Sequence, residues 1–154
     1  MEKGKSQLTG AYQTMVVIWA ALLMSQFMLI LVVFLTKREL FTFNFDAPAV
    51  NENMIVIAAL GVVAVTSVGM SFVFRKKFRD QAIAEQKKEL LQSGLIVAMA
   101  LCEASSLFGL LLAFAFNYQY FFLWFMLGIV GMILHFPKFG DILSATYKHD
   151  SNNF

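Results

Sequence analysis

Four long apolar stretches, residues 15–35, 54–74, 94–116 and 121–136, alternate with short polar segments along the chain. Each reads as a helix of spanning length, because a helix rises 1.5 Å per residue and the hydrocarbon of a bilayer is about 30 Å thick. Lipid offers no water to an unpaired backbone, so apolar runs of this kind must close their hydrogen bonds internally. The expected fold is therefore all-α: an integral membrane four-helix bundle forming a single transmembrane domain over residues 1–154.

The first stretch follows a polar leader, residues 1–14, and is longer than the apolar core of a signal peptide. No small-residue cleavage site follows it, so it is expected to be retained. Composition agrees with the pattern: 59% of residues are hydrophobic, 14% are charged and the mean hydropathy is +0.69, which excludes an ordinary soluble domain. The formal net charge of +2 is too small to mark a nucleic-acid binder. The single Cys102 falls deep in the third stretch, where it can form no internal disulfide.

Position gives the charges their meaning. Lysines and arginines concentrate in the leader, in the segment between the second and third stretches and in the C-terminal tail, ten of the twelve in all. This bias places those segments, and with them both termini, in the cytoplasm. The middle basic segment holds Arg75, Lys76, Lys77, Arg79, Lys87 and Lys88, with Phe78, Ala82, Ile83, Leu90 and Leu91 at helix-like intervals. A short juxtamembrane helix facing anionic lipid or an acidic partner is expected there. On the other side, Phe41-Thr42-Phe43-Asn44-Phe45 alternates with period two before Pro48 and predicts an extended aromatic segment in the membrane interface. Asn117 to Tyr120 link the third and fourth stretches closely enough to require an antiparallel hairpin. His135 is expected as an interfacial side chain, and the tail beyond Pro137 as polar and flexible.

Glu103 is the one carboxylate inside any of the four stretches. A charge at the bilayer centre costs about 2.5–3.5 kcal/mol on insertion scales, so such a group is usually neutralised, paired within a bundle or used to carry an ion. Counting depth along antiparallel spans brings Gln26 within about 3 Å of the level of Glu103, and Ser25 and Thr66 close to it. Ser106 lies one turn further along the same helix face. These five residues form the expected buried polar or ion-binding cluster. Beside it Gly94, Ala98, Cys102, Ser105 and Gly109 make a stripe of small residues, and Gly61, Gly128 and Gly131 offer further points of close helix packing.

The run Glu103-Ala104-x-x-Leu107-Phe108-Gly109-Leu110 resembles the ion-binding helix of rotor-ring proteolipids, the c subunits of rotary ATPases. That resemblance implies a proton- or Na⁺-binding role for Glu103, with Ala104 and Gly109 as packing positions. The chain departs from that family in lacking a glycine-dense inner helix and in placing the carboxylate in the third span. Taken whole, with Cys102-Glu103-Ala104, a short hairpin and a final Pro137, it resembles small four-span bacterial inner-membrane proteins of uncharacterised activity.

Paired carboxylates, histidine clusters, a nucleophile motif and a phosphate loop are not visible, so no enzyme, cofactor or metal centre is expected. The expected partners are membrane lipids and other membrane proteins or further copies of the chain, with no nucleic acid. The reading is a structural or accessory subunit, with an ion-translocating subunit using Glu103 as the alternative.

Overall fold

The computed structural model describes residues 2–42 and 53–146. Among these residues there are five α-helices and no strand. Helix α1 spans Glu2–Thr36, α2 Met54–Glu85, α3 Lys88–Phe116, α4 Phe122–Leu134 and α5 Phe139–Thr146, with 3-10 turns at Arg38–Phe41 and Gln119–Phe121. Among the described residues three helices, α1 to α3, are long and apolar enough to cross a membrane, and the bent pair of α4 and α5 makes a fourth if it counts as one broken span.

Helix ends differ from the sequence expectation in a consistent way. The leader is not a separate polar arm, because α1 already begins at Glu2. No separate juxtamembrane helix exists either, since α2 runs unbroken through the basic segment to Glu85. The physical reason is the same in both places. Leaving lipid changes the solvent but not the backbone, and Lys, Arg, Gln and Glu are good helix formers in water. At 32 residues α2 measures about 48 Å, so roughly 18 Å of it stands beyond a bilayer's hydrocarbon. It stops at Gln86, which takes the left-handed conformation (φ 54°) while the Lys87 amide closes on the Ala82 carbonyl at 3.0 Å. The chain then turns directly into α3.

At the other end α4 has only thirteen residues, about 20 Å. His135, Phe136 and Pro137 break it, and α5 leaves at 49° to the segment before it. The tail expected to be flexible thus includes a helix. Ile142 and Ala145 of α5 are buried, and its Phe139 ring meets Tyr12 of α1 edge-on at 5.5 Å. Residues 147–154 lie outside the described residues, as do 43–52, which include most of the alternating aromatic segment. What is described of that segment is not extended: Phe41 closes a 3-10 turn and its ring packs edge-on against Phe34 and Phe121.

α3 is the central helix. It packs against α1, α2, α4 and α5, and its buried face runs from Leu91 through Gly94, Ala98, Cys102, Ser105 and Gly109 to Leu112 and Ala113. Small residues on this face let the backbones approach. A Cβ built on Gly94 would lie 2.5 Å from the Cβ of Phe78 on α2, and one on Gly131 of α4 would lie 2.8 Å from Cys102 Sγ. Gly109 approaches the Phe121 carbonyl at 3.0 Å in the same sense, whereas Gly61 leaves ordinary contact distance, 3.6 Å, to Trp124. The core divides into two clusters: one at the basic end includes Leu8, Met15, Ala82, Leu91, Leu95 and Ile142, the other at the opposite end Val33, Leu40, Ile57, Leu112, Phe121 and Phe125. Between them lies the polar layer.

Candidate functional site

Helices α1 and α3 meet at the level of Glu103. Ser25 Oγ lies 3.0 Å from Glu103 Oε1 and 2.7 Å from the Leu22 carbonyl of its own helix. One hydroxyl has one proton to give, so the two contacts define two arrangements. When the carboxyl carries a proton it donates to Ser25, and Ser25 donates onward to Leu22. When the carboxyl is ionised, Ser25 turns its proton to Glu103 and releases Leu22. Glu103 itself is half-buried rather than enclosed.

The other expected members of the cluster are placed differently. Gln26 is fully buried, on a seam of α1 formed by Leu8, Tyr12, Met15, Trp19, Leu22, Leu29 and Val33 at alternating spacings of three and four. Neither atom of its amide has a hydrogen-bond partner. Ser106 is buried against α4, where Gly128 makes room for it, and its hydroxyl is likewise unpartnered. Thr66 does not join them. It is exposed on α2 and its hydroxyl donates to the Val62 carbonyl at 2.7 Å. Depth along the membrane brought it level with Glu103, but the face it occupies turns away.

A second polar group was not expected from the sequence. Ser71 on α2 is buried, with its Oγ 2.7 Å from His135 Nε2, 2.6 Å from the Val68 carbonyl and 3.5 Å from Cys102 Sγ. All three contacts are satisfied at once when Ser71 donates to Val68 and accepts from the imidazole N–H and the thiol. His135, expected as an interfacial side chain, is thus buried among the helices, and its ring lies tilted by 39° against that of Phe72 with centroids 4.4 Å apart. Arg75, one turn below Ser71, donates to the carbonyls of His135 and Phe136. A guanidinium there satisfies groups that a terminating helix leaves open and complements its negative end. Trp19 adds a further tie, donating its indole N–H to the Met132 carbonyl at 2.8 Å and so joining α1 to α4. The legible signal for this group was the break at Pro137, which leaves carbonyls in need of a donor at the depth where α2 turns basic.

Lys76, Lys77, Arg79 and Lys87 are exposed and Lys88 is half-buried. Arg79 lies 3.6 Å from Asp80, and Lys87 pairs with Glu85 at 2.8 Å. The Glu85 carboxylate, by that hydrogen bond, raises the Lys87 ammonium above its usual range. Among the described residues no group of three or more His, Cys, Asp or Glu side chains is arranged to hold a metal. No protein-family model, curated protein or solved structure matches the chain.

Proposed function

We propose that the chain is a non-enzymatic polytopic membrane protein that packs as a structural or accessory subunit within a larger complex of a bacterial inner membrane. In this reading it makes four crossings, α4 serving as the last, with both termini at the basic, cytoplasmic end. The observation that supports it is the open face of α2. Ala58, Val62, Thr66 and Gly69 lie exposed at spacings of four, four and three, and a Cβ on Gly69 would meet nothing within 4 Å. A strip on which three of four side chains are small gains more from a facing helix than from mobile lipid tails.

The test is the mass of the complex extracted in mild detergent. The natural chain is expected to run with larger partners. Gly69→Leu is expected to weaken that association by about 1–3 kcal/mol, as overpacking does, while leaving the chain's own melting temperature unchanged. A natural chain found only as free monomer, or an association indifferent to Gly69→Leu, would overturn the proposal.

The Ser25–Glu103 contact favours a second reading, an ion-translocating subunit in which Glu103 takes up and releases a proton or Na⁺. Under it, a hydrophobic carbodiimide labels Glu103 at a rate that Na⁺ or pH alters, and Glu103→Gln abolishes both labelling and ion flux. Absence of labelling at every pH would sink it.

A further inference from the structure

Where α4 ends and α2 passes from apolar to basic sequence, the two helices and the start of α5 border a cavity of about 180 Å³ that is open to the outside. Its charged lining is Arg75, Lys76 and Arg79 from α2 with Lys138 and Asp141 from the other wall, four cations against one carboxylate. The volume is far above the ~10–15 Å³ that a single water needs. Arg75 is held in place by the His135 and Phe136 carbonyls, which take two of its five N–H donors. Asp141 lies near enough to act on Arg75 electrostatically, and the Arg79–Asp80 contact is a surface pair of little strength. The cationic excess therefore persists, on a wall that is already ordered.

The rest of the lining is apolar. Phe72, Leu134 and Phe136 border the cavity on the side of the spanning helices, and all three are exposed, Leu134 at 64%. A ligand that fills this place needs an anionic group among the cations and a hydrocarbon portion lying along those rings. Depth agrees, because both α2 and α4 change from apolar to polar at this level, which is where headgroups lie.

We infer that this cavity is a binding site for the phosphate group of an anionic phospholipid, with Arg75 and Arg79 on one side of the phosphate and Lys138 on the other. A basic pocket between membrane helices holds a headgroup more selectively than a charged surface does, because position as well as charge is matched. The site does not depend on whether the chain has protein partners.

The experiment uses the full chain, delipidated in detergent and titrated with phosphatidylglycerol or phosphatidylcholine while bound lipid is counted by native mass spectrometry. Inorganic phosphate is added in a parallel arm. Phosphatidylglycerol is expected to bind in preference to phosphatidylcholine, and millimolar phosphate is expected not to displace it. The double variant Arg79→Gln with Lys138→Gln is expected to weaken that binding by roughly tenfold or more, at about 1 kcal/mol for each basic residue near a headgroup. Lys87→Gln with Lys88→Gln removes the same charge outside the cavity and is expected to leave it unchanged. Arg79 and Lys138 are exposed, so the first pair folds, as an unaltered melting temperature would verify. Equal losses in the two double variants would reduce the effect to diffuse surface charge and overturn the inference. So would the absence of any preference for the anionic lipid, or inorganic phosphate that binds as well as the lipid does.

Discussion

Gly128→Leu is expected to force α3 and α4 apart and to lower the stability of the bundle by about 1–3 kcal/mol or more. A Cβ at Gly128 would stand 2.5 Å from Ser106 Oγ and 2.8 Å from the Cys102 carbonyl oxygen. The hydroxyl can rotate away. The carbonyl belongs to the helix ladder of α3 and cannot move without shifting that helix. Separation would also stretch the bond from Ser105 Oγ to the Trp124 carbonyl, 2.9 Å in the natural chain, and the Trp19 tie to Met132 further down. Thermal melting in detergent, or titration with a denaturing detergent, reads the loss. Gly69→Leu supplies the matched control, since a Cβ at that position meets no atom of the chain within 4 Å. Equal melting temperatures for the two variants would mean that α3 and α4 do not pack as described.

The second large effect has the opposite sign: Gln26→Leu is expected to stabilise the chain. Gln26 is fully buried with both amide atoms unpartnered, and each such group costs about 1–3 kcal/mol in lost solvation. Leucine continues the apolar seam of α1 on either side and replaces an unpaired dipole with contact area. A gain of about 1–3 kcal/mol in the same melting assay is the expected result. A loss would show that the amide is hydrogen-bonded in the folded protein. The variant also separates stability from assembly. A polar residue on a helix seam commonly fixes register and partner choice at a cost in stability, so a chain that melts higher while losing its partners would assign Gln26 that role.

The long apolar helices could be read from the sequence because lipid imposes one rule on every residue of a run. Their ends could not, because the rule lapses where the run does. Glu2 to Thr14 and Arg75 to Glu85 remain helical on their own propensity and on contacts with α5, an element that eight residues of mixed character did not reveal. The polar layer divides in the same way. Counting residues fixes depth, and it set Ser25 and Glu103 at a level where they meet at 3.0 Å. It does not fix rotation about the helix axis, which is why Thr66 is level with the cluster yet exposed to the outside. Rotation is decided by packing, here by Gly94, Gly128 and Gly131, whose missing side chains determine which faces touch. His135 shows how the two kinds of information combine: its depth suggested headgroups, while the approach of α2 gave it Ser71 and an interior place.

The short α4 has a consequence for the lipid around it. Its thirteen residues span about 20 Å, short of the ~30 Å of hydrocarbon in a bilayer, which α1, α2 and α3 are all long enough to exceed. If α4 crosses the bilayer as proposed, the belt presented to lipid is uneven around the circumference, and on the α4 flank the membrane would thin or the bundle would tilt, at a fraction of a kcal/mol per ångström of mismatch. Both responses are relieved when two thinned flanks lie side by side or when the chain moves into a thinner membrane. In that arrangement bilayer thickness would act on the protein as an external variable, biasing its orientation and the packing of lipid on its α4 side.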